Sequence, residues 1–170
     1  DFTWNKISDI LQSLHSAGYK QIGNLPSLND DFILNIFIGI DVSGSISDRE
    51  YRDFLNEVYS ILKTFGNRIK GEIALWDVEI QKVIKLSNGF NINKIMEELK
   101  NRKGYGGTTL RSFLEYCEKK RDYNKVLIIL TDGEFESDLT KKDFVKFKKV
   151  IFVISRVGHT DHIPKSFNIK

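Results

Sequence analysis

Five oxygen-bearing side chains stand where they could hold a hard cation. Asp41 is followed at alternate positions by Ser43 and Ser45, Thr108 follows Gly106-Gly107, and Asp132 follows the run from Val126 to Thr131. Residues two apart in an extended loop can point the same way, so Asp41, Ser43 and Ser45 can converge on one ion. Gly44 is expected to allow the bend between them. Two carboxylates drawn together away from water repel each other unless a cation or a proton intervenes. Carboxylate plus neutral hydroxyl, with no thiolate and no required imidazole, is a ligand set for Mg²⁺, Mn²⁺ or Ca²⁺ in preference to zinc. Taken singly, each residue has a plainer reading, Ser43 or Ser45 as a helix cap and Asp41 as a turn residue. The set together, at three loop positions, points to an ion.

Such loops need strands and helices to position them. Phe32 to Ile40 is a mostly apolar run rich in Ile and Phe, which suits a strand buried on both faces. Tyr51, Phe54, Leu55, Val58, Ile61, Leu62 and Phe65 then mark one helix face, opened by a capping box at Ser47 and Glu50. Glu72 to Trp76 and Ile80 to Leu86 read as strands joined by a short turn. Two further helical stripes follow, Ile92 to Leu99 and Leu110 to Cys117. Val126 to Leu130 and Val150 to Ile154 read as buried strands, with a short helix at Phe144 and Phe147 between them and a last edge strand at Phe167 to Ile169. This alternation predicts an α/β fold: an open, mostly parallel, Rossmann-like sheet with helices on both faces and one antiparallel edge strand. In such sheets ligands gather at the carboxyl ends of the strands, near the point where strand order reverses. Asp41 and Asp132 fall there.

The bulk composition narrows the classes. A chain of 170 residues fits one domain able to bury roughly 70% of its unfolded surface. Its single cysteine, Cys117, excludes an intramolecular disulfide and a Cys-rich zinc site. No apolar run approaches the roughly 18–20 residues of a membrane span, since Ile33 to Ile40 is broken by Asn35 and Gly39. The N-terminus lacks a signal-peptide pattern and an initiator Met, so a cytoplasmic protein and a piece of a longer chain are expected. Net charge is +3 with both signs mixed along the chain, which gives no footing for nucleic-acid binding.

Rival chemistries are thinner. His159-Thr160-Asp161-His162 reads as a solvated loop rather than a zinc site. Gly104-Tyr105-Gly106-Gly107 lacks a dinucleotide fingerprint, and no P-loop, His-Glu-x-x-His or Gly-x-Ser-x-Gly occurs. Ser43 has no evident histidine base. The serious alternative is Mg²⁺-dependent phosphoryl transfer through Asp41, although a haloacid-dehalogenase-like enzyme would want a second Asp at position 43. A protein without catalytic residues is the expectation.

Asp41-Val42-Ser43-Gly44-Ser45, then Thr108, then Thr131-Asp132-Gly133, resembles the metal-ion-dependent adhesion site of von Willebrand factor type A (VWA) domains. The stretches Gly44 to Asp48 and Gly106 to Thr108 are similar to a prokaryotic branch in which a VWA-like domain follows a metallopeptidase-like region. Proteins of that branch are often encoded beside a MoxR-type AAA+ ATPase. The resemblance implies a VWA-like domain over residues 31–170, with 1–30 as a lead-in from an upstream region. It implies that Asp41, Ser43, Ser45, Thr108 and Asp132 hold Mg²⁺, directly or through water, and that a partner supplies an Asp or Glu to the ion. Tyr105, Arg111 and Phe135 would line the rim, and the domain would be monomeric. The branch usually carries an acidic residue where Thr109 stands here. Asp77 matches another acidic position, as an outer support of the site or a hairpin-turn residue.

Overall fold

The computed structural model describes Asp9, Ile10, Gln12, residues 33–120, residues 125–165 and Phe167. Five strands, β1 (Leu34–Asp41), β2 (Ile69–Trp76), β3 (Ile80–Leu86), β4 (Val126–Thr131) and β5 (Lys149–Ile154), form one sheet ordered β3-β2-β1-β4-β5. β1 pairs in parallel with β2 and β4, and β4 with β5; β3 runs antiparallel on β2. The mostly parallel sheet with an antiparallel edge is thus present. Side chains alternate across it as strand geometry requires. Ile36, Ile38, Ile40, Ile73, Leu75, Ile128 and Leu130 serve one core, and Phe37, Ala74, Trp76, Leu127 and Ile129 the other. Burial on both faces explains why β1 and β4 read as almost unbroken apolar runs.

Helices cover both faces. α1 (Asp48–Phe65) and α2 (Ile92–Lys100) pack on the first core, and α3 (Leu110–Glu118) on the second. Gly39 in β1 marks how closely α3 sits, because a Cβ there would lie 2.6 Å from the Phe113 ring. Gly39→Ala would overpack this contact at a cost of about 1–3 kcal/mol.

The short helix expected at Phe144 and Phe147 is a single 3₁₀ turn, Lys141–Phe144, opened by its own Thr140–Asp143 capping box. Of the expected edge strand at 167–169, residues 168–169 lie outside the described residues; the Phe167 ring packs on Phe144 and Phe152. Most of the expected lead-in, 1–30, also lies outside them, but Ile10 is buried in the first core. Among the described residues no helix is long and apolar enough to cross a membrane.

Chain order matters for the site. From β1 the chain crosses to β2 on one side, whereas β4 lies on the other, so strand order reverses between β1 and β4. A crevice at the carboxyl ends of a sheet opens at such a reversal.

Candidate functional site

Three loops meet above that crevice: 42–47 after β1, 101–109 between α2 and α3, and 132–140 after β4. Asp41 is the last residue of β1 and is fully buried, while Asp132 directly follows β4 and is nearly so. Asp41 Oδ1 accepts from the Ser43 amide at 2.9 Å, and Oδ2 accepts from the Thr131 hydroxyl at 2.7 Å. The Ser43 and Ser45 hydroxyls lie 3.2 Å apart. Asp41, Ser43 and Ser45 are therefore gathered on one side of the first loop, as their alternate spacing predicts. Asp132 is set by an Asx-type turn in which its Oδ1 accepts from the Glu134 amide at 2.9 Å.

The second loop is pinned to the first by backbone. The Gly44 amide donates to Gly106 O and the Tyr105 amide to Val42 O, both at 2.9 Å. Gly44 meets the sequence expectation for a different reason. Its φ is not in the left-handed region; what it supplies is room, since a Cβ would lie 3.1 Å from Tyr105 O. Thr108 sits half-buried two residues beyond Gly106. Among the described residues no hydrogen bond joins its hydroxyl to the other four candidate ligands.

Asp77 lies in the β2–β3 turn and also reaches the second loop. Its Oδ1 accepts from Gln81 Nε2 at 2.8 Å within the β2–β3 turn, and its Oδ2 accepts from the Gly106 amide at 3.1 Å. The Thr109 amide donates to its carbonyl at 2.9 Å. Burial works to raise the Asp77 carboxyl, but hydrogen bonds from Gln81, Glu79 and Gly106 outweigh it and hold the group below the usual range. Asp77 thus anchors the second loop from below.

The electrostatics of Asp41 run the other way. Burial pushes its carboxyl up to about 6; hydrogen bonds from Ser43 and Thr131 oppose the rise, and the Asp132 charge adds to it. A carboxylate that burial disfavours, facing a second carboxylate and neutral hydroxyls, fits a hard cation on chemical grounds. Thr131 was not among the candidates, although a signal existed. The β1–β4 register pairs Ile40 with Leu130, so the next step along both strands sets Thr131 beside Asp41.

One rim expectation needs correction. Phe135 is buried, stacked on Phe152 at 6.2 Å between ring centroids, because the third loop folds back over the second core. Arg111 is half-exposed but engaged, with Nη1 2.9 Å from Asp143 and Nη2 3.2 Å from Asp138. Tyr105 does stand exposed. The His159–His162 stretch is more structured than a solvated loop. The His159 amide donates to Asp132 O at 2.9 Å, and His162 Nδ1 contacts the Phe135 carbonyl. Gly133 faces this segment with φ 87°, and a Cβ there would lie 1.9 Å from His159 O. Among the described residues no group of three or more His, Cys, Asp or Glu side chains is placed to hold a metal.

Glu136 was missed outright. Its Oε2 and Oε1 accept from the Leu110 and Arg111 amides at 2.8 and 2.7 Å, capping α3 where Thr109 makes no side-chain cap. No local pattern announces a cap supplied from 25 residues away.

An uncharacterized protein of Thermotoga maritima is 23% identical over 147 residues, 86% of this chain. The chain spans 33% of the length of that curated relative. Among solved structures, an aerotolerance-related membrane protein from Bacteroides fragilis, carrying multiple mutations to serines, is 12% identical with a TM-score of 0.49, over 61% of this chain and 56% of that one. The type V pili tip protein Mfa5 from Porphyromonas gingivalis is 14% identical with a TM-score of 0.49, over 61% of this chain and 20% of that one. A family model described as a VWA-like domain (DUF2201) matches residues 36–165, a span that includes all five candidate ligands. By that match, the chain belongs to the VWA-like domain family DUF2201.

Proposed function

We propose that this VWA-like domain is a metal-dependent protein-interaction module. Asp41, Ser43, Ser45, Thr108 and Asp132 would hold a divalent cation, Mg²⁺ before Mn²⁺ or Ca²⁺, and the partner would offer an Asp or Glu side chain. The observation that carries the reading is Asp41. It is a fully buried strand-end carboxyl, pushed up to about 6 by burial, and the donors that meet it from Ser43 and Thr131 are neutral. A divalent cation bound there would offset both carboxylates while leaving an electron-poor open position for an incoming acid.

The chain's own residues account for the rest of the mechanism. Thr131 holds Asp41 in place, the Glu134 amide orients Asp132, and Asp77 fixes the height of the second loop. The hydroxyls of Ser43 and Ser45 add donors without adding negative charge, so a partner carboxylate meets little repulsion from them. A MoxR-type AAA+ ATPase, or a substrate delivered to one, is the partner we propose, with the domain acting as a monomer in the cytoplasm.

The test is a binding titration with such an ATPase in Mg²⁺, in EDTA, and with Ser43→Ala. Each change should weaken binding at least about tenfold. Equal affinity in all three would remove the ion from the mechanism. Turnover of an aryl phosphate in Mg²⁺, lost in Asp41→Asn, would instead support phosphoryl transfer.

A further inference from the structure

The candidate ligands hang from a loop that must keep its shape before any ion arrives, and one buried cation outside the ligand set grips that loop. Arg102, just past α2, has a side chain only 5% exposed. Its guanidinium lies between two rings, 4.3 Å from the Tyr105 centroid and 5.3 Å from that of Tyr51. Nη2 donates to the Ser43 carbonyl at 2.9 Å and reaches Val42 O at 3.5 Å, while Nη1 lies 3.6 Å from Asp48 Oδ1. Nε and Nη1 are buried without hydrogen-bond partners. A guanidinium taken out of water with donors idle is a poor way to add stability. What it does achieve is geometry, because Ser43 carries a candidate ligand on its side chain and the Arg102 contact on its carbonyl.

Tyr105 completes the grip. Among the described residues it is the one non-glycine with positive φ, at 74°. Its amide donates to Val42 O, so the same residue both pins the first loop and covers the guanidinium. Backbone held in a sparsely populated region persists where the surroundings over-determine it.

We infer that Arg102, covered by Tyr105, is the positioning residue of the ion site: it fixes the Val42–Ser43 backbone so that the Ser43 and Ser45 hydroxyls and Asp41 are arranged before an ion binds. This rests on the ion-binding reading above. Charge alone predicts the opposite sign, because a guanidinium beside a cation site repels the cation and its removal should tighten binding. Positioning predicts that removal weakens it.

The experiment uses the 170-residue chain as wild type, Arg102→Met, Tyr105→Ala and Tyr105→Phe. Amide hydrogen exchange is measured in EDTA, then Mn²⁺ is titrated and the bound ion followed by electron paramagnetic resonance. In EDTA, the Gly44 and Tyr105 amides should exchange at least about tenfold faster in Arg102→Met and Tyr105→Ala, with β4 unchanged. Tyr105→Phe should match wild type, since the ring and not its hydroxyl covers the guanidinium. Mn²⁺ should bind both disruptive variants at least about tenfold more weakly, with an altered spectrum at saturation.

Wild-type exchange in the first loop of Arg102→Met, exchange raised equally through β4, or tighter Mn²⁺ binding would each overturn the role. Equal Mn²⁺ affinity in wild type and both variants would overturn it while leaving the ion site standing. A wild type that binds no Mn²⁺ would remove the ion reading, and this role with it. Should Arg102→Met fail to fold, Tyr105→Ala, altered at an exposed ring, decides by the same criteria.

Discussion

Two helices start directly behind loops of the candidate site, and they are anchored in opposite ways. α1 carries its own cap: the Ser47 hydroxyl accepts from the Glu50 amide at 3.2 Å, and the Glu50 carboxylate accepts from the Ser47 amide at 2.9 Å. α3 opens on Thr109, whose side chain caps nothing, and its first free amides go to Glu136 of the third loop. The start of α1 is therefore capped from within its own turn, whereas the start of α3 is capped by the third loop. Any shift of the loop that carries Asp132 is felt at the start of α3, whereas α1 is tied to that side of the sheet through Ser155, whose hydroxyl donates to Glu50 Oε1 at 2.7 Å.

The largest expected effect lies at the end of β1, where burial disfavours the ionised Asp41 carboxyl. Its folded value near 6 is above the ordinary 3.8, so Asp41 contributes stability below about pH 4 that is lost as pH rises through about 6. In EDTA, Asp41→Asn should gain about 3 kcal/mol over wild type between about pH 3.5 and pH 7.5. Denaturant unfolding across that range checks it, and parallel curves for the two proteins would show that the burial is offset elsewhere.

Next comes the remote cap. Glu136→Ala leaves two helix amides without their acceptor and should cost about 2 kcal/mol, with Glu136→Gln intermediate. Ser47→Ala removes one local cap bond and should cost about 1 kcal/mol. If the two helix starts are independent, the double variant is additive within about 0.5 kcal/mol. A larger coupling energy in chemical denaturation would break the contrast between them.

The smallest effect concerns Thr109. The family resemblance alone expects Thr109→Asp to strengthen ion binding. With the Glu136 carboxylate on the two following amides, the new charge meets a like charge, so the gain should appear in Thr109→Asp/Glu136→Gln and be slight in Thr109→Asp alone. Mn²⁺ affinities of the two variants decide between these accounts.

What could be seen in the sequence divides along the same line as the two caps. β1, β4 and the α1 stripe were legible because burial on two faces or one leaves a periodic signature, and the capping box at Ser47 and Glu50 is a short-range pattern. The Asp41-x-Ser-x-Ser spacing likewise sits within one loop and predicted the observed gathering. Contacts that close over long separations left no such mark. Glu136 on α3 and Arg102 on Ser43 depend on how loops fold back, and so does the burial of Phe135, whose aromatic type fits a rim contact as well as a core. Thr131 lay between these cases, readable once the β1–β4 register is known.

The central claim is that the three loops at the carboxyl ends of β1 and β4 form one divalent-cation site. Titration calorimetry of Mg²⁺ into wild type and Asp132→Ala tests it most directly. Asp132 is the candidate ligand to remove, because among the described residues its side chain hydrogen-bonds only within its own turn. Wild type should bind one ion per chain saturably and Asp132→Ala none, with the apo variant still folded. Absence of binding by wild type at millimolar Mg²⁺, or equal binding by both proteins, would contradict it.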